Sequence, residues 1–475
     1  WRLSEEPFMA VAKDWLSNLK VRLSYGTSGS DNINSNLWRE TWSSLSSSSN
    51  HTPINGELGS FYRPDGLLAN SDLKWETTIS RNLGLDFGFL NNRINGSLEI
   101  YWNTTKDLLM AVPVDNTTGY SYQFQNFGKT SNRGIELSLN FDVINKGDFR
   151  FNIGAIYNYN RNKLDELPNA DQYLYSSYWG SSSLVPTNDY MFVEGKAIGL
   201  VRGFVSEGFY TVNDFRYENG QYILKEGIPD ITKALTATYM HPFNIPNGQT
   251  AFPGAAKFRD VNNSGTVDLD DATCLGEVMP RHTGSFQLNF NYKNFDLSSN
   301  FNWTAGGKVY NVAAMINASG QEFDGIGAQR TSWVADTYKV YNVNSSGDLY
   351  AVTDPNELNA LNANAKYHLP YHQSGITSSE WLEDGSYLRL QTLTLGYTLP
   401  HTVLNKIHIE KLRIYLTATN LFTITGYSGI DPEVNATPTG QSGFYSNLRV
   451  FPTLNMDFGT YPRARTFTLG ANITF

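Results

Sequence analysis

Apolar and polar residues alternate one for one through segment after segment of this chain, and that period of two constrains the fold more than any other feature. LKVRLSYG places Leu19, Val21, Leu23 and Tyr25 at one parity. RINGSLEIYWN sets Ile94, Gly96, Leu98, Ile100 and Trp102 against Arg93, Asn95, Ser97, Glu99 and Tyr101. IELSLNFDV sets Ile135, Leu137, Leu139, Phe141 and Val143 against Glu136, Ser138, Asn140 and Asp142. FRFNIGAIYNYN, SFQLNFNY, FDLSSNFNW and LRIYLTATN repeat the pattern, and SYLRLQTLTLGYTL changes phase near Thr392, as a bulge would require. The final segment, TFTLGANITF, brings Phe467, Leu469, Ala471, Ile473 and Phe475 into register, apolar to the last residue. Alternate side chains of a strand point to opposite faces of its sheet, so the fold is all-β with two unlike faces. A sandwich and a barrel both satisfy that condition.

The connections separate the two. Leu90-Asn91-Asn92-Arg93, Asn145-Lys146-Gly147-Asp148 and Tyr292-Lys293-Asn294-Phe295 read as tight hairpins. Between them lie long stretches, roughly 28–72, 106–130, 161–282, 305–384 and 422–463, and short and long connections alternate. Loops beyond ~15 residues are uncommon in compact domains. A transmembrane antiparallel β-barrel supplies the reason, with short turns on the periplasmic side and long loops outside. About ten strands are expected, with VEGKAIGLVRGFVSEGFY (193–210) as further strand-forming material. Ser177 is expected outside the cell and Asn92 in the periplasm. Arg93, Glu99, Glu136 and Asp142 are expected to line the lumen, while their alternating neighbours face lipid.

Composition agrees by exclusion. The formal charge of -9 and the lack of a basic stripe argue against a nucleic-acid partner. Mean hydropathy is -0.37, and no run reaches the ~18 apolar residues of a membrane helix. The single cysteine, Cys274, excludes a disulfide framework. Trp1-Arg-Leu-Ser resembles no leader; Trp1-Arg-Leu reads as the tail of a strand, and Ser4 as the N-cap of a short helix over EEPFMAVAKDWL. On this reading the strand that pairs with the last one lies upstream of Trp1.

Seven segments carry a closer resemblance: WRLSEEPF with WLSNLKVRLSYGTSGSDNI, LKWETTISRNLGLDFGFLNNRINGSLEIYWNTTKDLL, NFGKTSNRGIELSLN, PGAAKFRDVNNSGTVDLDD, DGSYLRLQTLTLGYTLP, LRIYLTATNLFTITGYSGIDPEV and YPRARTFTLGANITF. In that order they resemble the barrel of SusC-like TonB-dependent transporters from Bacteroidetes. The resemblance implies that residues 1–475 are the C-terminal part of a 22-stranded outer-membrane barrel, with plug, TonB box and early strands absent from this chain. It also implies import of oligosaccharides or peptides, a SusD-like surface lipoprotein as partner, and the TonB complex acting through the absent part. The terminal aromatic strand (Phe467, Leu469, Ala471, Ile473, Phe475) resembles the signal read by the barrel-assembly machinery.

Local constellations are fewer. DVNNSGTVDLDD, residues 260–271, fits a twelve-residue calcium loop with Asp260, Asn262, Ser264, Thr266, Asp268 and Asp271 as oxygen donors and Gly265 at the bend. Ser264 stands where a carboxylate is usual, and Asp271 is shorter than the usual glutamate. An Asx-rich turn explains the same residues, and structural Ca2+ and a metal-free turn both stand open. DQYLYSSYWGSSS places Tyr173, Tyr175, Tyr178 and Trp179 in the longest connection, where they contact substrate or the lipoprotein lid, or pack the loop onto itself. Trp102 and Trp303 fit interfacial girdles, and His368 with His372 fits a polar loop better than a metal site. No nucleophile elbow, P-loop or dinucleotide fingerprint occurs, so no enzyme activity is expected. The rival readings are a self-contained outer-membrane barrel protease and a soluble carbohydrate-binding β-sandwich protein.

Overall fold

The computed structural model describes residues 1–30, 37–45, 53–54, 57–58, 61–64, 67–120, 122–167, 172–177, 184–236, 241–319, 335–369, 375–404, 409–434 and 454–475. Ten long strands form one sheet: β1 (Leu16–Ser30), β2 (Glu76–Phe89), β3 (Ile94–Lys106), β4 (Lys129–Lys146), β5 (Phe149–Glu166), β6 (His282–Tyr292), β7 (Phe295–Ala305), β8 (Tyr387–Thr398), β9 (Lys411–Thr425) and β10 (Thr466–Thr474). Each pairs antiparallel with its neighbours in sequence, so the sheet is an uninterrupted meander. No helix among the described residues is long and apolar enough to cross a membrane.

Register keeps the two faces separate across the sheet. Leu85, Leu98, Leu137 and Tyr157 form one continuous row, and Asp86, Ser97, Ser138 and Ile156 the next. The apolar face stays open: Leu23, Leu83, Ile100, Ile135, Leu395, Leu416 and Leu469 are all exposed. A contiguous apolar band of this kind requires an apolar surrounding. The phase change near Thr392 is a bulge, since Leu390 and Thr392 are paired in turn across both neighbours and Gln391 is left out of the ladder.

The predicted hairpins are present, and their backbones explain the sequence. Leu90, Asn91 and Asn92 have φ of 52, 58 and 60°, and Gly147 and Lys293 have φ of 58 and 53°, the left-handed region that tight hairpins need. A fourth short connection, 399–410, carries a single helical turn, His401–Leu404. Short and long connections alternate strictly.

The long connections are more than polar loops. Among the described residues they hold four apolar clusters, two of them large. One gathers Phe204, Tyr210, Tyr222, Phe258, Val352 and Ile376, from the connections after β5 and β7. The other gathers Met110, Tyr175, Tyr190, Tyr310, Trp381 and Met456, from four different connections. Residues 193–210 do form strands, but in small sheets of these loops (Tyr190–Val193, Leu200–Gly203, Ser206–Phe209) and not in the main sheet. Ser4 does not cap a helix; it is buried inside a 3-10 turn, Leu3–Glu5, followed by a second, Pro7–Ala12. Trp1 and Arg2 form no strand but do pair alongside β1: Trp1 exchanges backbone hydrogen bonds with Val21, and Arg2 makes an isolated antiparallel bridge to Lys20.

Ser177 is a poor reporter of topology because it is buried beneath the loop surface. In a Cys274→Ser background, cysteine replacing exposed Ser345 in a long connection is expected to react with impermeant maleimide on whole cells. Cysteine replacing exposed Lys146, in a short turn, is expected to react only after permeabilisation. The opposite pattern overturns the orientation.

Candidate functional site

The polar face of the sheet carries fixed charges, and two long arginines are arranged alike near opposite ends of the meander. Arg22 of β1 reaches across β2 to β3. Its Nε lies 3.1 Å from both Asp86 oxygens and its Nη2 2.5 Å from Glu99 Oε1. Asn82 donates to the other Glu99 oxygen at 2.9 Å, and Lys20 Nζ stands 3.5 Å from Asp86. The reach works because Gly84 lies beneath the guanidinium; a Cβ there would sit 2.8 Å from Arg22 Cζ. Arg413 of β9 repeats the device, crossing Gly396 of β8 to bind Asp296 of β7 with Nε–Oδ1 2.9 Å and Nη2–Oδ2 2.5 Å. Bidentate geometry of this kind fixes orientation as well as charge.

Of the expected lumen residues, Glu99 and Glu136 stand directly opposite one another on this face. Glu99 is neutralised by Arg22, while Glu136 has no cation partner among the described residues. Asp142, near the short-turn end, accepts from Asn152 Nδ2 at 2.8 Å. Arg93 does not line the wall. It sits at the hairpin and donates to the carbonyls of Asp142 and Val143, closing the end of β4.

Higher on the wall, Arg389 is almost wholly buried, at 2% exposure. It donates to Asp431 Oδ1 at 2.5 Å, Glu433 Oε2 at 3.1 Å and Thr423 Oγ1 at 3.0 Å. Arg463 approaches Glu433 from the other side at 2.8 Å. These contacts pin the start of the connection after β9 against the sheet. Parity could have revealed Arg22, Asp86, Asp296 and Arg413, since each is out of phase with the apolar residues of its strand. Nothing local reveals Asp431.

The aromatic loop cluster divides. Tyr175 is buried and stacks on Phe192 and Tyr190 with centroids 4.7 and 5.5 Å apart, so it is core rather than a free binding surface. Tyr173 is half-buried beside it, and Tyr178 and Trp179 lie outside the described residues. Asp189 beneath this cluster is fully buried, and burial pushes its carboxyl up to about 7 although Ser177 donates through N (2.7 Å) and Oγ (2.5 Å). His368 is buried with Nε2 3.5 Å from Glu380; His372 lies outside the described residues.

The 260–271 loop is closed by its own hydrogen bonds. Asp260 accepts from the backbone N–H of Ser264 (3.1 Å) and Gly265 (2.7 Å), and Asn262 from Ser264 (2.9 Å). Ser264 Oγ donates to the Thr266 carbonyl at 2.8 Å, and Asp268 accepts from Asp270 N. Fully buried Asp271 accepts from Val261, Asn262 and Asp268 backbone N–H at 2.7, 3.2 and 2.9 Å. Both Asp271 oxygens are thus engaged. Among the described residues no group of three or more His, Cys, Asp or Glu is placed to hold a metal ion.

In the terminal strand, Phe467, Leu469, Ala471 and Ile473 continue the apolar face, opposite Ala418, Leu416, Ile414 and Leu412 of β9. Phe475 follows the strand and is 87% exposed.

Comparison with known proteins places this architecture. The family description "TonB dependent receptor-like, beta-barrel" matches residues 10–421. TonB-dependent receptor P3 of Formosa agariphila is 28% identical over 475 residues, covering all of this chain and 41% of the relative. TonB-dependent receptor SusC of Bacteroides thetaiotaomicron is 27% identical, over 100% of this chain and 39% of its own length. The chain thus spans about two fifths of the length of these curated relatives. The solved structure of the RagAB peptide transporter overlays all of this chain and 42% of that one, with TM-score 0.67 at 21% identity, a likeness of fold. A match over most of the chain, joined to a meander whose open apolar face is satisfied by lipid, makes this chain a member of the TonB dependent receptor-like β-barrel family, part of the wall of an outer-membrane protein.

Proposed function

We propose that the chain forms the C-terminal wall of a TonB-dependent importer of the SusC type, which takes up oligosaccharides or peptides together with a SusD-like surface lipoprotein. The observation that carries this reading is the polar face, where Arg22 and Arg413 span three strands each and hold acids in fixed positions. Such a face presents water-like partners to a polar solute and has a rigid geometry while the solute passes. The packed cores of the long connections give the outer mouth a shaped surface for solute and lid. The chemistry is binding and passage, with no bond broken. Energy comes from the TonB complex acting on the part of the protein that precedes this chain.

The test uses the full-length protein in its own membrane. Uptake of labelled oligosaccharide or peptide is expected to need this protein, TonB and the neighbouring lipoprotein together. Mass spectrometry of ligand co-purified with the complex names the class. Uptake undiminished by loss of TonB would overturn the reading.

For the 260–271 loop the proposal is weak calcium binding. A cation would gain oxygens from Asp260, Asn262, Ser264 and the Thr266 carbonyl, but Asp271 would have to give up hydrogen bonds to join them. Calorimetric titration with Ca2+ is expected to show a Kd on the order of 10⁻⁴–10⁻³ M, the range of extracellular modules. Submicromolar binding would contradict the hydrogen-bonded closure of Asp271.

A further inference from the structure

Arginine belongs on the polar parity of a membrane strand, yet three arginines here are in phase with the apolar residues. Arg81 follows Leu85 and Leu83 on β2, Arg133 follows Leu137 and Ile135 on β4, and Arg161 follows Tyr157 and Tyr159 on β5. Register brings them together. Arg133 is paired with Trp102 on one side and with Arg161 on the other, and Arg81 donates to the Trp102 carbonyl at 3.5 Å.

Height along the wall follows from strand geometry. A rise of ~3.4 Å per residue and a tilt of ~40° give about 2.6 Å of height per residue. Trp102, ten residues above Asn92 in its turn, therefore stands ~26 Å up, at the top of an apolar band ~25 Å tall. Register puts Arg133 and Arg161 in the same row as Trp102, within ~3 Å of height per strand crossed, at the boundary between that band and the headgroup layer of the outer leaflet.

Two features set this patch apart. Arg133 and Arg161 face each other directly, which is unfavourable for like charges, and neither has an acidic partner among the described residues. Between them, Ile100, Trp102, Ile135 and Tyr159 complete a groove of about 500 Å³ on the apolar face. On β6 to β9 the same face ends instead in His282, Trp303, Leu388 and Ile424, without an arginine. In a chain of formal charge -9, an unpaired arginine pair over a lipid-facing groove calls for an anion.

We propose that this groove binds a phosphate-bearing glycolipid of the outer leaflet. Arg133 and Arg161 take the phosphate through their planar N–H forks, which match its oxygens. Trp102 and Tyr159 lie against the sugar portion, and an acyl chain descends over Ile135 and Ile100. The lipid neutralises the facing arginines, and with Arg81 beside Trp102 it ties four strands to the outer leaflet.

The test uses full-length protein purified in mild detergent and relipidated with a diphosphorylated, acylated disaccharide lipid or with the same lipid after removal of its phosphates. Native mass spectrometry is expected to show about one phosphorylated lipid retained per barrel and at least tenfold less of the dephosphorylated form. The double change Arg133→Gln with Arg161→Gln is expected to lower retention of the phosphorylated lipid tenfold or more, while Arg133→Lys with Arg161→Lys keeps most of it. Equal retention of the two lipids, or full retention by the glutamine double variant, overturns the proposal. So does complete displacement by millimolar inorganic phosphate, which would make the site one for the free anion. If the glutamine variant fails to assemble, the comparison of the two lipids on the unaltered protein decides alone.

Discussion

Arginine in place of Leu98 is expected to destabilise the assembled barrel by about 2–4 kcal/mol, the cost of a charge near the middle of the lipid-facing band. Arginine in place of Ser97, one residue away, is expected to cost well under 1 kcal/mol. The contrast follows from register. Leu98 lies between Leu85 and Leu137 on the apolar face, six residues above the Asn92 turn. At ~2.6 Å per residue it stands ~16 Å up, well inside the band. Ser97 lies between Asp86 and Ser138 on the polar face, where a new cation finds water and the Asp86 carboxylate. Urea unfolding in lipid vesicles measures both. Each 1.4 kcal/mol is tenfold in the unfolding equilibrium, so the two variants should differ by roughly tenfold to several hundredfold. Equal costs would mean that the faces are wrongly assigned. A one-residue error in register reverses the prediction, which makes the pair a sharp test of the sheet.

What the sequence disclosed and what it withheld divide along the range of the interactions. Strand parity is local: Leu98 and Ser97 declare their faces through neighbours two residues away. The hairpins are equally local, because Asn91-Asn92 and Gly147 are residues that accept positive φ. The bulge at Gln391 was visible as a phase change for the same reason. The long connections were not legible. Tyr175 looks like a binding anchor in DQYLYSSYWG, and only its stacking on Tyr190 and Phe192 makes it core. Leu184 and Val185 pair with Gly375 and Ile376, nearly two hundred residues away, and no period announces such a pairing. The polar wall was half legible. Parity gives Glu99 its face, but its partner Arg22 lies two strands away and depends on Gly84 leaving the path clear. The arginines of the outer groove were legible in principle, as cations in phase with Ile135 and Tyr159, and their meaning waited on the register that sets Arg133 against Arg161.

Arg389→Ala is expected to cost about 3–5 kcal/mol, because it strips the partner from a buried carboxylate. Asp431 is 8% exposed, and among the described residues its Oδ1 accepts, apart from Arg389, only the Glu433 backbone N–H, at 2.9 Å. Without the guanidinium, that charge stays desolvated or the segment around it moves out to water. The second course is open, although the connection after β9 is also held by Ser428, which donates to Glu383 at 2.7 Å, by the Tyr427 hydroxyl, which donates to Asp457 at 2.6 Å, by Arg463 on Glu433 and by the packing of Tyr427 and Val434 on Val309. Limited proteolysis of the variant is therefore expected to cut near residues 426–434 at least tenfold faster than in the unaltered protein, together with a lower midpoint in urea. The cause can be separated from lost packing by a second change. Asp431→Asn keeps the acceptor for Glu433 N–H but removes the charge, so Arg389→Ala with Asp431→Asn is expected to be more stable than Arg389→Ala alone. Simple addition of two losses would show instead that Arg389 acts through its bulk against Tyr387, whose ring centre lies 5.4 Å from the guanidinium carbon. Recovery in the double variant would show that one buried ion pair decides whether this connection rests on the wall, and so how the outer mouth is shaped at that side of the barrel.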